Sequence, residues 1–424
     1  MSLQKIPLYW EEILKRYVKK TFYADTRKKS FADREGFTEG DYRFFARGVR
    51  RLNEFFTTER GELPRNYFNQ KDLRSGYLLY FLPVNALKVA ALLKIPPCPP
   101  LSKGGGGDLT ILDIGSGPGT GMFGVMLWLE NWLKNLGAYR HTPLQIRWIL
   151  IDQNREALRD AQNLHEEILN HLKRTGLPIE SHLEIKVGDI THFSKSLGSV
   201  QADLILSLNA LSEIPKPRRL SLVENLLGRH LKSEGKLLIM EPALRLTTRD
   251  LMELHDEILH RKSGFVYAPC LHQSSCPMLK VNDRDWCHTY IEWERPEWIQ
   301  RLDHLVGIRK DYLKCSYLLL GKEDTSERRI HSARASQDGG FGGEVREAAP
   351  RNNTWRVVSG HLNSNGKSEL LLCGPGGLPD LLRTTRLDRD RSEANQVFDQ
   401  TQRGEIIEMD RTTRIGKETV IKKI

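Results

Sequence analysis

The run Leu112-Asp113-Ile114-Gly115-Ser116-Gly117-Pro118-Gly119-Thr120 constrains the fold more than any other feature of the sequence. It follows a short apolar segment, residues 109–114, and precedes a segment with helical periodicity, residues 121–136. Glycines at this junction allow a tight turn and a close approach of the backbone to a ligand beside a helix N-terminus. The run therefore predicts a nucleotide-binding loop between a strand and a helix.

Three acidic residues favour one nucleotide-like cofactor. Asp113 ends the first strand, where S-adenosylmethionine (SAM) domains place an acid near the methionine amino group. Asp152 ends the next strand, well beyond the offset of roughly 20 residues that a dinucleotide fold places between loop and acid, and can accept bonds from both ribose hydroxyls. Asp189 ends the third strand, near the adenine amine in such domains. The alternative is an α/β domain without a nucleotide, whose acids only cap helices.

Strands and helices alternate after this loop, and this pattern predicts a mostly parallel sheet covered on both faces. The predicted strands are residues 145–151, 183–187, 202–208 and 235–240, and a long amphipathic helix covers residues 155–174. The predicted fold class is α/β, a class I SAM-methyltransferase (Rossmann-like) doubly wound sheet. An N-terminal helical region, a Cys-rich metal-binding insertion and a small C-terminal β unit are attached to it.

Catalytic residues are harder to assign. Asn209 and Glu213 follow the fourth strand, where substrate-handling residues normally lie, but helix capping explains them equally well. The segment contains neither an Asn-Pro-Pro-Tyr box for methylation of an amino group nor a Pro-Cys pair for cytosine carbon-5 chemistry. The catalytic residues therefore stay unknown, with Asn209 and Glu213 as weak candidates.

Four cysteines suggest a metal centre: Cys270, Cys276, Cys287 and Cys315. Thiolates are soft ligands that suit zinc or an iron–sulfur cluster. The wide, irregular gaps and the proline after Cys276 favour [4Fe–4S] over zinc, and ordinary buried thiols are the alternative. The tight three-cysteine loop of radical SAM enzymes is absent, so the predicted cluster is structural or regulatory. Cys98 and Cys373 are interpreted as bystanders.

Charge indicates a polyanionic partner. The formal net charge is +10, the pI is about 9.2, and basic residues are frequent in the helical first hundred residues, with Arg47, Arg50 and Arg51 beside Phe44 and Phe45. RNA contact and a merely solvated helical face are both compatible with this pattern. The sequence shows no window of roughly 18 uninterrupted apolar residues and no signal peptide. We therefore expect a cytoplasmic protein without a membrane partner.

The chain divides into four predicted regions. Residues 1–95 are a helical N-terminal region, followed by a Pro- and Gly-rich break, and residues 108–322 are the SAM-binding domain with its Cys cluster over 268–315. Residues 323–353 are a predicted disordered linker, because they offer little to bury. Residues 354–424 are a small β-rich unit, for which an OB-like fold is one interpretation.

Together these motifs resemble the Rsm-type methyltransferase-like family of the mitochondrial and bacterial small ribosomal subunit. The resemblance covers roughly residues 70–320, and the Cys-rich stretch is its specific part. The segments that carry it are Tyr77-Leu78-Leu79-Tyr80-Phe81-Leu82-Pro83, Glu241-Pro242, Ala268-Pro269-Cys270, Cys276-Pro277 and Asp285-Trp286-Cys287-His288. The sequence departs from the family pattern at the inserted Gly104–Gly107 and at Ala243, where glycine is expected.

The resemblance implies a protein that binds pre-ribosomal small-subunit RNA during assembly, carries SAM and holds a [4Fe–4S] cluster. Cys315 is the least secure metal ligand, and His272 or His288 could replace it. We expect a monomer off the ribosome. Three hypotheses stay open: a methyltransferase for small-subunit ribosomal RNA, a non-catalytic assembly factor that keeps the SAM fold, and a methyltransferase for a small molecule.

Overall fold

A computed structural model describes residues 3–23, 36–57, 67–94, 108–135, 143–191, 197–281, 283–323, 354–375, 381–388, 396–409 and 421–423. The predicted break at 96–107, with Cys98, lies outside these residues, and so does all but the first residue of the predicted linker 323–353.

Two sheets organise the described chain. The helices are α1 (Leu8–Tyr23), α2 (Glu39–Thr57), α3 (Lys71–Gly76), α4 (Leu82–Leu92), α5 (Thr120–Asn135), α6 (Arg155–Arg174), α7 (Lys216–Asn225), α8 (Arg245–His260), α9 (Pro277–Val281), α10 (Glu297–Val306) and α11 (Gln396–Gln400). The strands of the larger sheet are β1 (Gln4–Lys5), β2 (Leu109–Ile114), β3 (Leu144–Asp152), β4 (Ile179–Val187), β5 (Ala202–Leu208), β6 (Leu231–Pro242), β7 (Phe265–Ala268), β8 (Thr289–Glu294) and β9 (Tyr312–Gly321). The strands of the smaller sheet are β10 (Thr354–Val357), β11 (Leu362–Ser364), β12 (Lys367–Cys373), β13 (Leu382–Leu387), β14 (Ile406–Met409) and β15 (Ile421–Lys423).

The larger sheet is mixed, with the order β1-β8-β9-β6-β5-β2-β3-β4 and with β7 also pairing with β9. Strands β4, β3, β2, β5 and β6 pair in parallel, whereas β9 runs antiparallel to β6 and β8. The chain moves outward from β2 to β4 and then returns to β5 on the other side of β2. Such a reversal opens a crevice at the carboxyl ends of the strands, where ligands of open α/β sheets bind. The predicted α/β class with helices around a central sheet is confirmed.

Local sequence explains the central elements. The interiors of β2, β5 and β6 are near-continuous apolar runs, as expected of parallel strands that are covered on both faces. Helix α6 begins after Asn154, whose side-chain oxygen accepts a hydrogen bond from Ala157 N at 3.0 Å. This cap satisfies one of the N–H groups that a helix start leaves unpaired.

The N-terminal helices pack directly on the α/β domain and share its largest apolar core. The buried Arg74 guanidinium pairs with Asp160 and Glu156 of α6, and Tyr17 also donates a hydrogen bond to Asp160. A buried charge is tolerated only when it is paired in this way. The helical region is therefore fixed to the domain through α6.

One continuous helical stretch, Lys71–Leu92, comprises α3, a wider turn at Tyr77–Phe81, and α4. Its length and apolar composition would suffice to cross a membrane, but 89% of its most apolar window is buried inside the fold. This stretch is a core helix that follows the N-terminal helices in the chain, and its α4 part packs against α5.

Helices α2 and α3 touch backbone to backbone. A Cβ added at Gly48 would lie 2.1 Å from Asp72 O, and a Cβ added at Gly76 would lie 2.9 Å from Val49 N. Only a residue without a side chain fits at such a crossing.

The smaller sheet is antiparallel and has its own core around Trp355, Leu370 and Phe398. It packs against β8 of the larger sheet, where Tyr290 N donates a hydrogen bond to Arg403 O at 3.2 Å. All six of its strands lie within residues 354–424, the predicted small β-rich unit. The OB-like interpretation and the region boundaries stay predictions.

Candidate functional site

The glycine loop joins β2 to α5 at the crevice. Gly115, Gly117 and Gly119 all have left-handed backbone conformations, with φ values of +67°, +53° and +87°. A Cβ at Gly115 would lie 2.5 Å from the Cβ of Ala210, just after β5. Three positive φ angles in five residues require glycine, because other L-residues are strained there. The loop is thus held open toward the carboxyl ends of β2 and β5.

Asp113 lies beneath this loop and is fully buried. Its carboxylate reaches under the first turn of α5, where a Cβ at Gly121 would lie 2.5 Å from Oδ2. Neither carboxylate oxygen has a hydrogen-bond partner among the residues that the structure describes. Burial, with a contribution from the nearby Asp152 carboxylate, raises the pKa of Asp113 well above its usual range. A buried, unsatisfied carboxylate is costly, and it is a feature expected of a site for a cationic group.

Asp152 ends β3 beside the loop. Its carboxylate accepts hydrogen bonds from Gly117 N and Asn154 N, both at 2.8 Å. Burial raises the pKa of Asp152, and these backbone N–H groups partly oppose that shift. The carboxylate therefore fixes the loop, and its remaining lone pairs can accept further hydrogen bonds.

Asp189 follows β4 and is exposed. One carboxylate oxygen accepts hydrogen bonds from both N and Oγ1 of Thr191 at 2.7 Å. The side chain thus stabilises the turn after β4, at the same edge of the sheet as Asp152. The predicted contact with adenine stays a prediction.

An aromatic wall from the N-terminal region covers the loop and was not predicted as part of the site. A Cβ at Gly117 would lie 3.8 Å from the Phe68 ring, and the Tyr77 hydroxyl lies 3.3 Å from Thr120 Oγ1. Burial raises the pKa of Tyr77 to about 12, although the Thr120 hydrogen bond opposes this. Burial, followed by the nearby Tyr77 and Glu213, raises the pKa of Tyr67 well above its usual range. These rings make one wall of the crevice.

The two weak catalytic candidates follow β5 at the same crevice. Asn209 is half-buried in a left-handed turn with φ +57°, and its N–H donates to Met240 O at 2.7 Å. Glu213 is exposed, and its carboxylate acts on the pKa of both Tyr67 and Tyr77. The structure therefore brings both residues to the crevice, while their catalytic role stays a prediction.

Four thiols line a second, separate cavity: Cys270, Cys276, Cys287 and Cys373. Cys270 and Cys276 lie in the loop between β7 and α9, and Cys287 lies just before β8. Cys373 ends β12 of the smaller sheet. The cavity thus lies between the two sheets. Burial and then the neighbouring Cys270 and Cys287 raise the pKa of Cys276.

The predicted set of four cysteines is corrected at one position. Cys315 is fully buried in β9, opposite Thr289 and Pro242, and is not among the residues that line the cavity. Burial raises its pKa to about 11, while the nearby Lys88 opposes the shift. The fourth thiol of the cavity is Cys373, which was interpreted as a bystander because it lies in the C-terminal β unit.

The two histidines proposed as substitutes differ in position. His272 lines the cavity, and its Nε2 lies 3.3 Å from Cys373 Sγ. The His288 ring instead contacts Arg403 of the smaller sheet, with Nδ1 2.9 Å from Nη1. Burial and the Arg403 charge lower the pKa of His288 to about 3. Of the two, only His272 lies at the thiols.

A buried arginine closes the cavity. Arg356 of β10 donates to Cys287 Sγ and to Thr289 Oγ1, both at 2.8 Å. Burial alone would lower the pKa of this guanidinium, but the Cys287 sulfur and neighbouring groups raise it. A guanidinium at this position would offset part of the negative charge of thiolates that hold a metal.

Within the described residues, no group of three or more Cys, His, Asp or Glu side chains has a metal-binding arrangement as placed. The chemistry of the donors nevertheless fits a soft metal, because four sulfur atoms face one cavity and each is described as a free thiol. The structure thus contains a carboxylate crevice that fits a cationic nucleoside and a thiol cavity that fits a metal.

The fold of this chain is similar to that of several solved structures. The structure is similar to magnesium protoporphyrin IX methyltransferase from Synechocystis PCC 6803, with 12% identity, a TM-score of 0.33, and coverage of 65% of this chain and 97% of that one. It is also similar to a SAM-dependent methyltransferase from Leishmania major, with 13% identity, a TM-score of 0.31, and coverage of 66% and 82% of the two chains. A search among curated proteins found no match.

A family profile matches residues 108–388, about two thirds of the chain, and is described as mitochondrial small ribosomal subunit Rsm22. The match includes the glycine loop, Asp152, all four thiols of the cavity and most of the smaller sheet. The chain belongs to the Rsm22 family of the mitochondrial small ribosomal subunit.

Proposed function

We propose that this protein binds SAM in the crevice and acts on the ribosomal RNA of the small ribosomal subunit. The observation that carries the cofactor assignment is Asp113, a fully buried carboxylate with both oxygens unpaired in the described structure beneath a loop of three left-handed glycines. The family assignment supports the ribosomal partner.

Different residues of the crevice would contact different parts of SAM. Asp113 would hold the positively charged amino group, and the glycine loop would let the cofactor approach the backbone. Asp152 would accept hydrogen bonds from the ribose hydroxyls while it keeps Gly117 in place. When bound, SAM supplies a methyl group activated by the sulfonium charge. The aromatic wall of Tyr67, Phe68 and Tyr77 would exclude water from that side.

A second candidate function is a non-catalytic assembly factor. The segment after β5 contains neither an Asn-Pro-Pro-Tyr box nor a Pro-Cys pair, so it carries no motif for methyl transfer to an amino group or to cytosine carbon-5. This observation favours cofactor binding without methyl transfer. A small-molecule methyltransferase is the third candidate, and it would leave the basic N-terminal region without a partner.

The test uses the full chain, tritium-labelled SAM and small ribosomal subunits from cells that lack the protein. Calorimetry should first show SAM binding to the wild type and none to Asp113→Asn, because the amide cannot neutralise the amino group. Label in the RNA would then establish the methyltransferase. Tight, salt-sensitive binding to the subunit without label would establish the assembly factor, and a chain that binds neither SAM nor the subunit would contradict the proposal.

We also propose that Cys270, Cys276, Cys287 and Cys373 hold a [4Fe–4S] cluster, with zinc as the alternative. Support comes from the four thiols around one cavity and from the buried Arg356 that donates to Cys287. The cluster would connect the two sheets, because three thiols belong to one and the fourth to the other.

Anaerobic purification followed by a visible spectrum and by iron and sulfide counts would test this assignment. A broad band near ~400 nm with about four irons per chain is expected for a [4Fe–4S] protein. A colourless protein with one zinc would keep a structural metal and contradict the cluster, and a metal-free protein would contradict both.

The cytoplasmic location and the monomeric state off the ribosome stay our proposals. The five cysteines of the described residues are all free thiols, which suits a reducing compartment. Cell fractionation and sedimentation analysis of the purified chain would test the two statements separately.

A further inference from the structure

A groove on the outer side of α2 lies outside both sites. Its volume is about 530 Å³, and its charged lining consists of Arg43, Arg47 and Arg50. Phe44 and Leu305 are the large apolar side chains of the lining, and Leu305 lies at the end of α10. The groove therefore combines three positive charges with an apolar floor.

The three arginines form one row. They are spaced four and three residues apart, so they project from the same face of α2 at successive turns. At 1.5 Å per residue the row extends over roughly 10 Å along the helix axis. A row of this length can contact several consecutive phosphates of one nucleic-acid strand.

Two of these side chains are held in place although all three are exposed. The Arg47 guanidinium lies 5.4 Å from the centre of the Phe44 ring. Arg50 Nη2 donates to Leu305 O at 2.8 Å. The guanidinium has further N–H donors that this hydrogen bond does not use. Fixed guanidinium groups lose less conformational freedom when they bind phosphate.

Two acidic residues lie at the start of α2, and one of them, Glu39, forms an ion pair with Arg43 of the row. The Glu39 carboxylate pairs with Arg301 of α10 and lies 3.5 Å from Arg43 Nε. The Asp41 carboxylate accepts hydrogen bonds from Thr38 N and Oγ1. No carboxylate lines the groove itself. The local charge is therefore positive and complementary to a polyanion.

We infer that this groove binds the sugar–phosphate backbone of a single-stranded segment of ribosomal RNA. The arginines contact the phosphates, and Phe44 and Leu305 contact a ribose or the face of a base. This inference rests on the proposed RNA partner, but it names arginines of α2 that lie outside the family match, which begins at residue 108.

The test is the triple variant Arg43→Gln/Arg47→Gln/Arg50→Gln, measured against a labelled oligouridylate and protein-free small-subunit RNA at several salt concentrations. Each lost phosphate contact lowers the slope of log K against log salt by about 0.7 on a single strand, so a decrease of about 2 is expected. The affinity at physiological salt should fall on the order of 10-fold to 100-fold. Circular dichroism and the melting temperature check that the variant folds.

Two controls isolate the groove. The triple variant Arg155→Gln/Lys173→Gln/Arg174→Gln removes the same charge from exposed positions of α6 and should change the affinity less than threefold. The single variant Arg51→Gln should bind RNA better than Arg47→Gln, because Arg51 pairs with Asp72 and does not line the groove.

Failure of this inference is distinguishable from failure of the proposed function. If the wild type showed no salt-dependent binding to either the oligouridylate or the small-subunit RNA, both the groove and the proposed RNA partner would be wrong. Wild-type binding that the groove variant retains would overturn the groove alone. If the variant lost binding to intact small subunits but kept its affinity for protein-free RNA, the groove would contact an acidic ribosomal protein, and the RNA assignment would be wrong.

Discussion

The crevice and the thiol cavity are both buried and both suited to a cationic ligand, yet they are assembled in opposite ways. In the crevice, Asp113 and the glycine loop come from one strand–turn–helix junction, and Asp152 comes from the adjacent strand. In the cavity, the thiols come from three separate segments, and one of these segments belongs to the smaller sheet. The first site is a property of one sheet edge, whereas the second exists only while the smaller sheet stays docked.

This difference predicts that the two sites fail independently. Loss of the metal should loosen the contact between the sheets and leave the crevice intact. Loss of an acid in the crevice should abolish cofactor binding and leave the metal in place. The variants below test that independence, beginning with the largest expected effect.

Replacing Cys373 with serine should remove the metal almost completely, because a hydroxyl is a poor substitute for a soft thiolate ligand. The matched variant Cys315→Ser should keep full metal content, since that thiol lies in β9 away from the cavity. Metal analysis of the purified proteins decides between them. Full metal in Cys373→Ser with loss of metal in Cys315→Ser would show that Cys315, and not Cys373, is the fourth ligand.

Asp152→Ala should lower SAM affinity by at least about 100-fold, because the ribose would lose its acceptor and Gly117 N would lose its partner. Metal content should stay that of the wild type. Calorimetry and metal analysis on the same preparation give both values. Unchanged SAM affinity would contradict the crevice assignment, and a simultaneous loss of metal would contradict the independence of the sites.

Gly115→Ala should lower SAM affinity about tenfold or more. A left-handed alanine costs roughly 1–2 kcal/mol, and its Cβ would also lie 2.5 Å from the Cβ of Ala210. Gly188→Ala is the control, because it has no positive φ and no atom within 4 Å of the added Cβ. Equal affinities of the two variants would show that the loop conformation does not matter for binding.

SAM affinity should rise with pH, by at most about tenfold per unit, as Asp113 ionises. The pKa of Asp113 is raised in the free protein, so part of the population is protonated above the ordinary carboxyl range. Binding of the amino group favours the carboxylate and therefore releases a proton. Calorimetry in buffers of different ionisation enthalpy measures that proton. In Asp113→Asn any residual binding should lack this dependence, and a wild type without proton release would contradict the role of Asp113.

The parallel core and the glycine loop could be predicted because their signals are contiguous. Residues 109–114 and 202–208 are predominantly apolar segments, and both are strands with these bounds. The helix predicted over residues 155–174 is α6. In each case burial on both faces, or periodicity along a single element, encodes the structure locally.

The position of Cys373 could not be predicted because nothing local distinguishes it from a buried strand residue. Its partners lie more than eighty positions earlier, and only the docking of the smaller sheet brings them together. The aromatic wall was missed for a similar reason. The motif Tyr77–Pro83 was noted as part of a resemblance, but only tertiary packing places Phe68 and Tyr77 against the glycine loop.

The crossing of α2 and α3 at Gly48 and Gly76 has a mechanical consequence. Because the two backbones are in direct contact, no layer of side chains can absorb a displacement of one helix relative to the other. Helix α2 carries the row of arginines, and the helical stretch that begins with α3 carries Tyr77 against Thr120. A displacement of one helix would therefore be transmitted to the other, and the crossing connects the surface groove mechanically with the aromatic wall of the crevice.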